Sequence, residues 1–522
     1  FIDSKDGDLK NTDILKRRII GLTSYFRSAQ EGLLPDFDID TDYHVIKLPM
    51  SDYQFKLYDE IRIKERKQEK RKPMGKLYEN TNSTYKIFSR AYCNFVFPDE
   101  LKRPFPNEGD KNEGEQNEDN FDGVQEDTKN QEAEDTVVLD YNTRIKNSIK
   151  FLRENREKYF TEELTQYSPK FNAILENLLN EDHTGCHLLY TQFRTLEGIE
   201  ILGIILEANG FKQLKLKRGS SGEFTFDGQL EKGKMFALYT GSESEEEKEM
   251  IRNIYNGDWN YLPNSLSRQL KDIHVNNNLG EIIKLFMITS SGAEGINLRN
   301  TRFVHITEPY WHPVRIEQVI GRARRICSHE NLEKKYQNVK VFLYLMKFTD
   351  KQIEDGSKEL KLQDKSKYDK TNPVPLTTDE ALFEIMNRKE NINKQILTTI
   401  KETAMDCSIH SSSTSDESLE CYSFSGEKNP DIFALKPNIH DEEKDTKIKK
   451  LNIKTEVWKA KKYTIDGKDY AMRMDENNKP TNILYDIDSY KKALKNPNNE
   501  IDYIGKLKTN ADGKKYIDSS KI

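Results

Sequence analysis

From about residue 146, short apolar runs alternate with stretches whose apolar residues recur every three or four positions. That layout predicts an α/β unit with a doubly wound parallel sheet, because strands covered on both faces read as unbroken apolar runs. Residues 187–191, 235–239, 285–289, 302–306 and 339–345 read as strands. Between the first two, Ile199, Leu202, Gly203 and Leu206 fall at i, i+3, i+4 and i+7 of a helix over 195–209. Gly210 then stands where a left-handed cap belongs. Ser242-Glu-Ser-Glu245 reads as a capping box opening an acidic helix. A later helix begins near Pro313 and is expected to run to Cys327.

The flanks read differently. Residues 1–106 mix helical and extended patterns, with a basic run from Arg62 to Lys72 on a long helix, expected to be a solvated face. Residues 107–143 are rich in Asn, Glu and Gly and offer almost nothing to bury, so a disordered acidic insertion is expected. The unit proper spans 144–350, followed by a looser extension and a Ser-rich linker over 351–446. The last segment, 447–522, reads as a small β-rich appendage. Its Asp466-Gly467 turn joins two extended runs, and Trp458, Tyr463, Tyr470, Tyr485 and Tyr490 make its core.

Charge alters this picture in one place. The 522 residues carry a net charge of −6, but the stretch from Glu108 to Asp135 holds twelve acids against two lysines, so the remainder carries +4. Mean charge therefore does not exclude a nucleic-acid partner, since local basic patches set phosphate binding. The five cysteines are scattered without zinc-finger spacing, which fits a reducing setting and no structural metal. No apolar run is long enough to span a bilayer as a helix, and no signal peptide is visible, so no membrane partner is expected. The chain opens on Phe1, which is read as truncation upstream.

Chemistry concentrates in Ile316-Glu-Gln-Val-Ile-Gly-Arg-Ala-Arg-Arg-Ile-Cys327. As a helix it turns Ile316, Val319, Ile320, Ala323 and Cys327 to the sheet. Gln318, Arg322 and Arg325, at i, i+4 and i+7, then share another face. Guanidinium groups so arrayed suit phosphoryl oxygens that gain charge in a transition state. Gln318-x-x-Gly321-Arg322-x-x-Arg325 resembles motif VI of superfamily 2 helicases, and Ser290-Ser-Gly-Ala-Glu-Gly-Ile-Asn-Leu298 resembles their motif V. Glu308-Pro-Tyr-Trp-His-Pro313 between them, Tyr190-Thr-Gln-Phe193 upstream, and Tyr92-Cys-Asn-Phe95 with Ser168-Pro-Lys-Phe171 further back are similar to the Swi/Snf-like branch. Lys16-Arg-Arg-Ile-Ile-Gly-Leu-Thr-Ser-Tyr-Phe26 and Gln192-Phe-Arg-Thr-Leu-Glu-Gly198 narrow the likeness to helicases of nucleo-cytoplasmic large DNA viruses, including the poxvirus early-transcription ATPases.

The resemblance implies a RecA-like second lobe and assigns roles. Arg322 and Arg325 become arginine fingers. Gln318, Gly292, Gly295 and Asn297 lie at the nucleotide, and Thr191, Gln192, Arg194, Thr240, Gly241, Ser290 and Ser291 at the nucleic-acid backbone. It implies ATP and Mg²⁺ as cofactors, duplex DNA as the track, and an N-terminal ATPase lobe as partner, with viral RNA polymerase or transcription factors beyond. The implied setting is the host cytoplasm or the virion. Two departures matter. No G-x-x-x-x-G-K-[ST] occurs, so the phosphate cradle, metal site and water-activating base are expected on a lobe outside this sequence. Glu294 also stands where the branch has a small residue. The rival expectation is a non-enzymatic adaptor derived from such a lobe.

Overall fold

The computed structural model describes residues 9–24, 33–71, 86–105, 141–219, 223–240, 243–289, 295–354, 364–366, 374–407, 419–421, 458–475, 477–495, 499, 501–510 and 514–518. The expected acidic insertion and Ser-rich linker fall almost wholly outside them. The chain divides into two units, residues 1–422 with 428–435, and residues 423–427 with 436–522.

The first unit contains the strands β1 (Tyr43–Pro49), β2 (Cys186–Tyr190), β3 (Lys212–Gln213), β4 (Leu216–Arg218), β5 (Phe224–Phe226), β6 (Met235–Tyr239), β7 (Ile283–Ile288), β8 (Thr301–Ile306) and β9 (Lys340–Lys347). Among the described residues, seven of them form one sheet in the order β1-β9-β8-β2-β7-β6-β3, and β4 with β5 makes a separate hairpin. Every pairing in the large sheet is parallel. This is the parallel sheet that the apolar runs predict. β2 and β8 are enclosed along their whole length, as parallel strands covered on both faces should be.

The helices that position the site are α1 (Thr12–Ile19), α2 (Asp52–Arg71), α3 (Ile87–Asn94), α4 (Pro169–Leu179), α5 (Ile199–Ala208), α6 (Glu245–Tyr255), α7 (Val314–Ala323) and α8 (Thr378–Thr403). Side chains alternate across the sheet. Leu189, Phe303, Phe342 and Tyr344 join the core made with α2 to α5. Leu188, Tyr190, Val304, Val341 and Leu343 face the core made with α6 and α7. α5 ends as expected, with Gly210 at φ 83. The capping box of α6 falls two residues later than predicted, on Ser244 and Glu247.

Several expectations are corrected. β1 lies in the segment expected to precede the lobe, yet it pairs with β9 and forms the sheet's edge. The extension after residue 350 contains the 26-residue helix α8, opened by a capping box between Thr377 and Glu380. Arg62 and Glu65 in the basic run are not solvated. They are buried, and Arg62 forms ion pairs with Glu65 at 3.4 Å and Asp364 at 3.1 Å. Cys407 and Cys421 form a disulfide with Cα atoms 5.8 Å apart, against the expectation of thiols throughout. Among the described residues no helix is long and apolar enough to cross a membrane.

A row of histidines threads the sheet. His183 Nδ1 lies 3.0 Å from the Asn177 carbonyl, His187 Nε2 lies 3.3 Å from the His183 carbonyl, and His187 Nδ1 lies 2.9 Å from His305 Nε2. His305 Nδ1 in turn meets the Tyr344 hydroxyl at 2.8 Å. A carbonyl can only accept, so His187 carries its proton on Nε2. His305 then donates from Nε2 and accepts from Tyr344. Both nitrogens of His187 and of His305 are thereby satisfied in the neutral form. Burial pushes His187 well below the usual histidine range and His305 down to about 3.

The second unit is an antiparallel meander of β10 (Ala460–Ile465), β11 (Lys468–Met474), β12 (Pro480–Asp486), β13 (Tyr503–Thr509) and β14 (Lys515–Asp518), with helix α9 (Ile487–Lys495) between β12 and β13. Asp466 at φ 47 and Gly467 at φ 77 make the tight turn that the sequence predicts. Tyr470, Met472 and Leu484 are its buried core, with Tyr463 packed against them. The Trp458 ring lies tilted against Tyr485 and Tyr490, with centroids 4.8 and 5.4 Å away.

Candidate nucleotide and nucleic-acid site

The expected contacts fall in two places. Thr191, Gln192 and Thr240 follow the C-terminal ends of β2 and β6, where an open parallel sheet presents its strand ends to ligands. α7 runs back along β8, so the turn that carries Arg325 lies near the start of β8, where the Asn300 amide donates to the Ser328 carbonyl at 2.9 Å. α7 packs Ile316, Val319 and Ala323 against the strands and leaves Gln318 exposed. Arg322 is half-buried, one helical turn beyond Gln318, and its Nη1 donates to the Ile296 carbonyl at 3.2 Å. The helix stops at Ala323, earlier than predicted. Arg324 leaves helical geometry and Cys327 adopts φ 57. Arg325 therefore does not occupy the i+7 place on a continuous helix, and Cys327 does not face the sheet from one. The chain instead turns back, so that Arg325 Nε lies 3.4 Å from the Gly321 carbonyl. Partial burial, and next the charge of Arg322, hold the Arg325 guanidinium below its ordinary range.

α7 is held from both ends. Trp311 and His312 precede it, their rings edge to face at 4.5 Å, and the Lys389 ammonium of α8 stands 3.9 Å over the Trp311 ring. Burial lowers the Lys389 pKa. Ile320, half-buried, packs against the core on this face of the sheet and also lines a cavity of about 390 Å³ with Phe37, Tyr43, Phe383 and Met386.

The expected phosphate contacts divide into three groups. Ser290, Ser291, Gly292, Gly241 and the departing Glu294 lie outside the described residues. Gly295 is described at φ 79 with open space where a side chain would stand. Asn297 is exposed, and its carbonyl accepts from Asn256 Nδ2 at 3.0 Å. Gln192 and Arg194 are half-buried. Gln192 Oε1 accepts from Arg90.

Thr191 and Thr240, by contrast, are enclosed. The Thr240 amide and hydroxyl both donate to Glu243, at 2.8 and 3.1 Å. The Thr191 hydroxyl donates to Glu308 at 3.0 Å. Their hydroxyls therefore do not face outward as a phosphate contact requires. The reason is the same for both: a nearby carboxylate accepts more strongly than water.

Glu308 is the residue that sequence reasoning missed. Fully buried, it also accepts from the Gln192 amide and from Asn94 Nδ2 at 3.2 Å. Burial raises its pKa, while the Gln192 amide, Lys170, Arg90 and Asn94 oppose that rise. Lys170 Nζ bridges Asn94 Oδ1 at 3.0 Å and Asp379 Oδ2 at 2.6 Å, so the motif IV-like turn, α3, α4 and α8 meet in one network. Beside it, Arg103 binds Glu197 through two hydrogen bonds of 2.6 and 3.1 Å. Gly198 follows Glu197, and a side chain there would meet the Phe193 carbonyl at 1.8 Å. The one available signal was Glu308 directly after an apolar strand, where a solvent-facing acid would be the ordinary reading.

No family model matches the chain. It is 25% identical over 574 residues to a putative ATP-dependent RNA helicase of Acanthamoeba polyphaga mimivirus, covering 97% of this chain and 62% of the relative. It is 29% identical over 272 residues to a termination factor NPH-I homolog of African swine fever virus, covering 47% and 34%. A crystal structure of the C-terminal part of the Fun30 ATPase domain covers 70% of this chain at 15% identity, with a TM-score of 0.33. The chain thus spans less than two thirds of the length of these two viral relatives.

Proposed function

We propose that this chain, a relative of the superfamily 2 helicases of large DNA viruses, is the arginine-bearing half of an ATP-driven motor that moves along nucleic acid. The observation that carries the reading is geometric: Gln318 is exposed on α7, Arg322 stands one turn further on with its guanidinium on the Ile296 carbonyl, and Arg325 follows just past the helix end with its guanidinium on the Gly321 carbonyl. Partial burial and the charge of Arg322 disfavour the Arg325 cation, so an arriving anion stabilises it. A triphosphate on a second lobe is such an anion, and its transferring phosphoryl group gains stabilisation as charge spreads over its oxygens.

ATP with Mg²⁺ supplies the phosphoryl group and its charge, held mainly by that second lobe. Among the described residues no group of His, Cys, Asp or Glu is placed to hold a metal. The residues of this chain orient the guanidiniums. The Ile296 carbonyl fixes Arg322, the turn after Ala323 brings Arg325 back, and Lys389 against Trp311 steadies the start of α7. Gln192 and Arg194 line the track and Asn297 lies toward the nucleotide, with duplex DNA as the substrate and viral transcription or genome handling as the setting. Closing and opening of the lobes around ATP would drive translocation.

The test is the full-length protein carrying Arg325→Ala. Nucleic-acid binding should persist while stimulated ATP turnover falls by about 10³-fold or more. Unchanged turnover would reject the assignment, and the adaptor reading would replace it.

A further inference from the structure

The turn that ends α7 holds a pair of side chains that the motor reading leaves unused. Ser328 and His329 follow Arg325 closely in the chain, and both are buried, at 5% and 3% exposed. A serine beside a histidine can serve as a nucleophile and its base. Burial closes that route here, because no substrate reaches the hydroxyl, and the far nitrogen of the ring meets a backbone carbonyl rather than a carboxylate.

Their bonds run instead to the turn and to the sheet. His329 Nε2 lies 3.0 Å from the Thr301 carbonyl, which can only accept, so the ring carries a proton there. Burial, and after it the charge of Arg302, pushes the ring down to about 4 against the pull of the Thr301 bond. It is therefore neutral near pH 7, and Nδ1 is a lone pair. Ser328 Oγ stands 2.9 Å from that lone pair and 3.1 Å from the Ala323 carbonyl, with one proton to share between them. The Arg325 amide points at the same oxygen from 3.4 Å.

The helix itself gives Arg325 little support. The Arg324 amide still reaches the Ile320 carbonyl at 2.9 Å, and helical geometry ends there. Beyond it the Ser328 amide donates to the Arg325 carbonyl at 3.1 Å, and the Asn300 amide to the Ser328 carbonyl at 2.9 Å. The root of the Arg325 side chain is thus set by Ser328, and Ser328 by a ring anchored on Thr301, the first residue of β8.

On the reading that Arg325 meets a transferring phosphoryl group, we propose that His329 is a positioning residue for Arg325, acting through Ser328 and touching neither nucleotide nor nucleic acid. Distance decides how much that matters, since misplacing a group that stabilises a transition state by about 1 Å costs on the order of 10²-fold in rate.

The experiment is a double-mutant cycle on ATP turnover of the full-length protein at saturating nucleic acid, expressed per folded molecule, with melting curves in parallel. His329→Gln keeps an amide that reaches the Thr301 carbonyl and has no acceptor where Nδ1 stood. It should lower kcat by about 10- to 100-fold and leave the KM for ATP and the nucleic-acid affinity within about twofold of the parent. Ser328→Ala removes a single oxygen and should act in the same direction. In the Arg325→Ala background neither substitution should slow turnover further, because the group they position is gone. An equal loss in both backgrounds would overturn the proposal, since His329 would then act on something else. So would a lower melting temperature with turnover per folded molecule unchanged, which reports only a contribution to the fold. Unchanged turnover in Arg325→Ala alone would reject the arginine reading, and the proposal with it. If His329→Gln does not fold, Ser328→Ala decides.

Discussion

Two arginine sites near the strand ends show how differently one side chain can be used. Arg103 is enclosed and grips Glu197 with both arms of its fork, so its charge is neutralised within the fold. Arg322 and Arg325 are half-exposed and lean on backbone carbonyls, and burial together with the Arg322 charge disfavours the Arg325 cation. The first arrangement fixes a turn. The second leaves electrostatic work undone, which is what a site for a transient anion requires. The difference is not legible in residue type, and it comes entirely from what each guanidinium touches.

The sharpest way to break this comparison is to remove each arginine and ask which property fails. Arg322→Ala in the full-length protein should cut stimulated ATP turnover by about 10³-fold, roughly 4 kcal/mol of barrier, with the melting temperature nearly unchanged. Arg103→Ala should do the reverse. It leaves Glu197 buried without its partner and should cost about 3–5 kcal/mol in denaturant unfolding, with turnover per folded molecule retained. If Arg322→Ala unfolds the protein and Arg103→Ala abolishes turnover, the two roles have been exchanged.

A third test uses charge that the fold refuses to admit. His305 titrates at about 3 in the folded protein, against about 6.5 for an ordinary histidine. The unfolded chain therefore takes up the proton first as pH falls. The stability contributed by this ring is complete above the ordinary value and lost progressively below it, toward 3. Between about pH 7.5 and pH 5 the loss from His305 alone should be about 2 kcal/mol in urea unfolding, with His187 acting in the same direction. Glu197 and Glu308, raised by burial, oppose this trend. The informative comparison is thus the parent against His305→Gln, whose stability should fall less over the same interval. Parallel slopes would refute it.

The smallest effect concerns the cation that steadies α7. Lys389→Met keeps the aliphatic stem over Trp311 and removes the charge, so it should cost about 0.5–2 kcal/mol of stability and lower turnover more than nucleic-acid affinity. Lys389→Arg should restore both.

Much of the lobe was legible because its central strands are apolar on both sides. The strand at 235–239 was placed to the residue, and the others to within two. β1 escaped because its residues are only partly buried and its partner β9 lies near the far end of the lobe. α8 escaped because Asn387 to Lys394 is polar on nearly every face, although Thr377 and Glu380 offered a capping signal. Spacing put Gln318 and Arg322 one turn apart on a helix, and both lie on α7. It could not place Arg325, since helix termination between Ala323 and Arg324 is set by contacts such as Ser328 Oγ to the Ala323 carbonyl at 3.1 Å. Thr191 read as a surface hydroxyl because nothing local shows that Glu308, distant in sequence, will claim it.

The pairing of β1 with β9 also governs how the chain reaches its native state. Tyr43 must find Val341, so the sheet cannot close its edge until nearly all of the lobe has left the ribosome. Parallel partners so remote give a high contact order, and the entropy of closing that loop is lost before any ladder hydrogen bond repays it. Assembly of the lobe should accordingly be slow. The β1 segment would be the last strand to dock, leaving the β9 edge open to chaperones or to other chains in the interval.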